Sequence, residues 1–222
     1  MDVIISDKIV CVDENKLISS GSTRTGNVYL LNNRHVIKLY RYIIPYYNDY
    51  HRNRLDILSK LKVKKFIMPL DIVYDVEGNI IGYTMKYVPG KDGDAILGLS
   101  SKFLIEELEK VYDEVSILSK NNIVLDDLAA CNLIVNESGI YFIDTDDYII
   151  RTSLDYDKNM KDSNFNINTL LKDIFAKGYF YRKNDNVNNM FDSYDIFYKE
   201  AARYYKPNQT VKSLVKCMIR KK

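Results

Sequence analysis

Residues 122–148, NIVLDDLAACNLIVNESGIYFIDTDDY, restrict the fold more than any other part of the chain, because they set three polar residues at the ends of short apolar runs. Asp127 and Asn132 are separated by Leu128-Ala-Ala-Cys131. Leu133-Ile-Val135 then reads as a strand, Asn136-Glu-Ser-Gly139 as a turn, and Ile140-Tyr-Phe-Ile143 as a returning strand that delivers Asp144. Asp144 and Asn132 offer hard oxygen donors of the kind Mg²⁺ accepts, and Asp127 is a carboxylate that can take a proton. Phosphoryl transfer can use such an arrangement, since it needs phosphate charge neutralised and a nucleophile held in line more than it needs a covalent intermediate. The same residue types also make turns by hydrogen-bonding their own backbone, so this stretch alone leaves a purely structural reading open.

The spacing resembles the catalytic core of the protein-kinase-like superfamily, where an H-R-D-L-x-x-x-N loop is followed, after a hairpin, by a metal-binding D-F-G. Leu125-Asp126-Asp127-Leu128 stands where H-R-D-L would, Asn132 falls at the required offset, and Ile143-Asp144-Thr145-Asp146 replaces the D-F-G neighbourhood. The I-D-T-D ending is closer to small bacterial-type or atypical kinases than to eukaryotic signalling kinases. The resemblance implies ATP and Mg²⁺ as cofactors, Asp127 as catalytic base, and Asn132 with Asp144 as metal ligands. Without an arginine before Asp127, regulation by a phosphorylated loop pairing with that arginine is not expected. The segment D-L-A-A-C-N is similar to the D-L-A-A-R-N of tyrosine kinases with Cys131 in place of arginine, and the lysine of serine/threonine kinases is missing too, so the phosphoacceptor stays open.

Upstream, Gly21-Ser-Thr-Arg-Thr-Gly26-Asn-Val28 is a glycine-bearing turn that leads into an apolar strand. Against the kinase loop G-x-G-x-x-G-x-V it supplies Gly21, Gly26 and Val28, with Thr23 at the second glycine position. Glycine lets a backbone approach phosphates and turn its N–H groups toward them; a plain hairpin turn is the competing reading. His35-Val-Ile-Lys38-Leu-Tyr40 is a strand with one lysine among apolar residues. By pattern Lys38 is an outward-facing strand residue; by resemblance to V-A-I-K it is the ligand of the α/β-phosphates and part of the catalytic set.

Residues 46–61 carry Leu55, Leu58 and Leu61 at helical spacing. In kinases this helix supplies a glutamate that pairs with the strand lysine, but Arg54 occupies the aligned position here, with Asp49 and Asp56 as the nearby carboxylates. Residues 66–85 read as a β-hairpin around Val76-Glu-Gly78-Asn79 and run into Lys86-Tyr-Val88-Pro-Gly90, which resembles the kinase hinge. That resemblance implies Met85 as gatekeeper, with the Lys86 carbonyl and the Val88 N–H facing adenine. Ser100 or Ser101 caps an amphipathic helix from Lys102 to Lys120. Residues 155–168 are polar and Asp/Asn-rich and read as a flexible loop, with a helix from Ile167 to Phe175 after it. Asn166 stands where kinases carry an aspartate that holds the catalytic loop. Residues 190–222 read as two helical stretches separated by Lys206-Pro207-Asn208.

The 222 residues suffice for one large domain or two lobes, and at 46% hydrophobic content they can bury a core without covalent staples. With 32 basic and 30 acidic residues the chain has no electrostatic footprint for nucleic acid or a membrane surface. No run of eighteen apolar residues marks a span and no signal-peptide pattern opens the chain. Cys11, Cys131 and Cys217 lie far apart without C-x-x-C spacing, which argues against a disulfide framework or zinc site and for a reducing cytoplasm. The expectation is an α+β, two-lobed protein-kinase-like fold, with a β-rich N-terminal lobe over 1–87 and a reduced helical C-terminal lobe over 88–222. Its expected activity is ATP- and Mg²⁺-dependent transfer of a γ-phosphate to a hydroxyl. A pseudokinase that binds nucleotide or scaffolds, and a small-molecule kinase, are the alternatives.

Overall fold

The computed structural model describes residues 1–20, 26–45, 48–179 and 194–220. It is a mixed α+β protein whose chain forms two compact units. One comprises Met1–Lys62, Ile67–Val88 and Asp144–Asp146; the other comprises Val63–Phe66, Pro89–Ile143 and Asp147–Lys222.

The first unit contains β1 (Asp2–Ile5), β2 (Lys8–Cys11), β3 (Leu17–Ser20), β4 (Asn27–Asn32), β5 (His35–Ile44), α1 (Asp49–Ser59), β6 (Pro69–Tyr74) and β7 (Ile80–Lys86). Its strands pair antiparallel in one sheet, ordered β2-β1-β6-β7-β5-β4-β3. Strand β1 (Asp2–Ile5) has no counterpart in the sequence expectation. Its hairpin turn at Ser6 and Asp7 has φ of 47° and 62°, which matches the twist of the flanking strands. Val3 and Ile5 thereby join Val12, Ile37, Leu39 and Val73 in a buried cluster. Each such side chain contributes about 1.5–3 kcal/mol on burial. Helix α1 starts where the Asn48 side chain accepts the His51 N–H at 3.1 Å, and it buries Leu55 and Leu58.

The second unit contains β8 (Lys91–Asp92), α2 (Ser101–Lys120), β9 (Ile123–Val124), β10 (Leu133–Asn136), β11 (Gly139–Phe142), β12 (Ile149–Ile150), α3 (Tyr156–Tyr179), α4 (Phe197–Ala202) and α5 (Val211–Arg220). Strands β11-β10-β8 form one small sheet and β12-β9 another. Ser100 caps α2, its Oγ accepting the Phe103 N–H at 3.2 Å, and Leu104, Leu108, Val111, Val115 and Leu118 are buried along one face. Helix α3 corrects the expectation of a loop over 155–168. Asp155 caps it by accepting the Lys158 N–H at 3.0 Å, and its buried face is polar at the start: Asn159, Ser163, Asn164 and Asn168 are all buried. A buried polar face hides from hydrophobic periodicity, and Asn159, Ser163 and Asn168 are useful there because they bond to neighbouring backbone or side-chain groups. Asn159 donates to the Ser119 carbonyl at 3.2 Å, and Asn168 accepts from the Tyr112 hydroxyl at 2.9 Å. Among the described residues no helix is long and apolar enough to cross a membrane.

Candidate active site

Lys38 lies in the middle of β5, paired with Val28 on β4 and with Tyr83 on β7. Its neighbours Ile37 and Leu39 are buried, and so is Lys38 itself, at 2% exposure. A buried ammonium must be paired, and two carboxylates of the same unit do this. The Lys38 Nζ forms ion pairs with Asp144 and, at 3.0 Å, with Asp146 Oδ1. Asp146 also accepts the Tyr83 hydroxyl at 2.7 Å and the Tyr40 hydroxyl at 3.1 Å. Tyr40 is two residues along β5 from Lys38 and so shares its face. Its hydroxyl lies 3.1 Å from His51 Nε2 of α1; since that hydroxyl donates to Asp146, the histidine nitrogen donates to it. Between the two aspartates, Thr145 Oγ1 donates to the Ile67 carbonyl at 2.9 Å. Asp144 has a φ of +62°, a left-handed conformation that aspartate tolerates better than most residues.

The two carboxylates differ in their electrostatics. Burial acts to raise the pKa of Asp146, but the Lys38 charge and the hydrogen bonds from Tyr83, Lys38 and Tyr40 outweigh it and hold the group below the usual carboxylate range. For Asp144 burial prevails: with Asp146 beside it opposing the help of Lys38, its pKa is pushed up to about 6. Burial likewise disfavours the Lys38 ammonium, yet Asp146 and Asp144 more than offset this and raise its pKa. Asp146 is thus the settled counter-ion. Asp144 is the more accessible of the pair, its side chain 16% exposed against 5%.

Asp127 and Asn132 belong to the second unit. Helix α3 fixes the start of their loop: Ser163 Oγ accepts the Leu125 N–H at 3.2 Å, and Asn166 Nδ2 donates to the Leu125 carbonyl at 2.6 Å. Asp127 turns the chain with a φ of +49° and is exposed. Asn132 Nδ2 donates to the Asp127 carbonyl at 2.9 Å, and the Asn132 carbonyl accepts the Ile143 N–H at 2.9 Å. With its amide nitrogen committed, Asn132 keeps Oδ1 as an acceptor, which among the described residues meets the weakly donating Cys131 thiol at 3.5 Å.

No protein-family model matches the chain, and no curated protein matches it.

Of the remaining sequence-selected residues, Gly21 lies outside the described residues. Gly26 has a φ of +83°, and a Cβ there would run into the Leu39 carbonyl oxygen, so glycine is required for fit as well as for conformation. Val28 is half-buried opposite Lys38. Met85 is buried on β7, opposite Val36. Lys86 ends β7 and is exposed, Tyr87 N–H donates to the Arg34 carbonyl at 2.7 Å, and Val88 is half-buried. The structure therefore brings Lys38 to Asp144 and Asp127 to Asn132. It adds Asp146, Tyr83, Tyr40 and His51, which the sequence reading did not select. The β5–β7 register that sets Tyr83 beside Lys38 is not written in either strand alone; the two-residue step from Lys38 to Tyr40 was a usable signal.

Among the described residues no group of three or more His, Cys, Asp or Glu side chains is placed to hold a metal ion. Mg²⁺ keeps several waters and takes one or two carboxylates together with substrate phosphates. Within the first unit the Asp144 carboxylate, and within the second the Asn132 amide oxygen, are each oxygen donors of that chemistry.

Proposed function

We propose that the chain is an ATP- and Mg²⁺-dependent phosphotransferase of protein-kinase-like fold, the first unit serving as its β-rich N-terminal lobe and the second as its reduced helical C-terminal lobe. The observation that carries this reading is the buried pairing of Lys38 with Asp144 across 106 residues of sequence. The resemblance assigns these two different roles, one as phosphate ligand and one as metal ligand. A buried ion pair is a poor source of stability, and perturbed carboxylates next to specific charge partners concentrate at functional sites.

In this reading Lys38 neutralises the α/β-phosphates, and Asp144 with Asn132 would hold Mg²⁺, which supplies further charge neutralisation when bound. Asp127 accepts the proton of the acceptor hydroxyl as its oxygen bonds to the γ-phosphorus and the bond from that phosphorus to the bridging oxygen breaks. The acceptor is a hydroxyl of a protein or small molecule. Three free cysteines fit a reducing cytoplasm. A nucleotide-binding scaffold without transfer is favoured by one observation: the Lys38 counter-ions come from residues 144–146 and not from α1.

Thermal unfolding with millimolar ATP, with and without Mg²⁺, tests the site. A ligand at 100 times its Kd stabilises by about 2.7 kcal/mol. The expected result is a Mg²⁺-dependent rise in Tm that disappears in Asp144→Ala. No rise under any condition would reject a nucleotide site.

A further inference from the structure

Resting on the phosphotransferase reading, we infer that Asp146 is the positioning residue that holds Lys38 for the nucleotide phosphates, a task for which α1 supplies no carboxylate. A lysine has four rotatable bonds, and an ammonium that must meet phosphates needs an anchor that the ligand does not displace. Asp144 cannot be an anchor that the ligand leaves untouched if its carboxylate also takes the metal. Asp146 can. It is 4% exposed, and both its oxygens are used: Oδ1 accepts from Lys38 at 3.0 Å and Tyr83 at 2.7 Å, Oδ2 from Tyr40 at 3.1 Å. Tyr83 is fully buried, and Tyr40 is held in turn by His51. The carboxylate is therefore fixed from three directions before any ligand arrives.

Counting donors supports the division of labour. The ammonium has three N–H groups; Asp146 takes one permanently, Asp144 takes a second, and one remains among the described residues. When Asp144 turns to a metal, two donors face the phosphates while Asp146 keeps the side chain in place. The bond from Thr145 to the Ile67 carbonyl lies between the two aspartates, so the segment that carries both is pinned to the first unit. Helix α1 contributes to the same arrangement through His51, which meets Tyr40 of β5, in place of a direct acid, and its Arg54 stands where an acid would pair.

The test is a double-mutant cycle on Mg²⁺-ATP affinity, measured by titration calorimetry on the full chain, with Lys38→Met, Asp146→Asn and the double variant. The expected result is that Asp146→Asn weakens binding about 10-fold in the parent, a coupling of the size that contacting groups show, and has no further effect in the Lys38→Met background. Should Asp146→Asn fail to fold, Tyr83→Phe and Tyr40→Phe loosen the same carboxylate while keeping it, and each is expected to weaken binding less, again only when Lys38 is present. Unchanged affinity in these variants, or an equal loss with and without Lys38, would overturn the role of Asp146 and leave the phosphotransferase reading standing. A parent chain that binds no Mg²⁺-ATP would overturn that reading, and the role of Asp146 with it.

Discussion

The proposed chemistry rests on single residues, some of which stand out in the sequence. Asp127, Asn132 and Asp144 announce themselves by spacing and by the apolar runs around them, and Lys38 by standing between the apolar residues Ile37 and Leu39 of a strand. Asp146 did not, because its role depends on depth and on the register that sets Tyr83 beside Lys38. The same limit concealed Glu107, which is 1% exposed and accepts hydrogen bonds from Lys65, from Lys110 at 2.6 Å and from the Ile140 N–H at 3.1 Å. Burial pushes its pKa up, but the bonds from Lys110, Lys65 and Ile140 prevail and hold it below the usual glutamate value. A folded-state pKa below the unfolded one means stabilisation that is present above the unfolded pKa and lost as pH falls through the folded one. Glu107→Gln should therefore cost about 3 kcal/mol near neutral pH, as breaking a buried pair does. In denaturant unfolding the gap to the parent should narrow as pH drops below the ordinary glutamate range; a gap independent of pH would contradict the ionic assignment. Gly26→Ala should also destabilise, by more than the ~1 kcal/mol of an ordinary backbone effect, because the added carbon meets the Leu39 carbonyl oxygen.

At the scale of elements, strands and helices with an apolar period were readable, and α3 was not. Its first three turns bury asparagine and serine where a period-reading expects leucine, and their partners lie far away in sequence. Ser163 and Asn166 hold the N–H and carbonyl of Leu125, so this helix sets the geometry of the loop that carries Asp127. Ser163→Ala leaves the buried Leu125 N–H without its acceptor and should cost about 1–3 kcal/mol, with faster amide exchange at Leu125. Unchanged exchange there would remove the helix from the account of the loop. By comparison Ser100→Ala, which removes the α2 cap, should cost about 1 kcal/mol and leave Leu125 exchange as it is.

For the molecule as a whole, the two units do not follow the chain in one cut. Val63–Phe66 belongs with the second unit and Asp144–Asp146 with the first. Local pattern cannot reveal such exchanges, since long-range pairing makes them. Glu114 of α2 accepts the Lys64 N–H at 2.8 Å and the Lys65 N–H at 2.7 Å, and the Phe142 N–H donates to the Lys65 carbonyl at 2.7 Å. In the same way the segment after β11 carries its two aspartates into the first unit, next to Lys38. Whether these residues transfer phosphate, as proposed, is decided by following γ-phosphate release or transfer from Mg²⁺-ATP by the parent chain and by Asp127→Asn. The expected result is Mg²⁺-dependent turnover in the parent and a loss of about 10²–10⁴-fold in Asp127→Asn, with ATP affinity unchanged. Equal turnover in the two, or none in the parent beyond buffer, would contradict it.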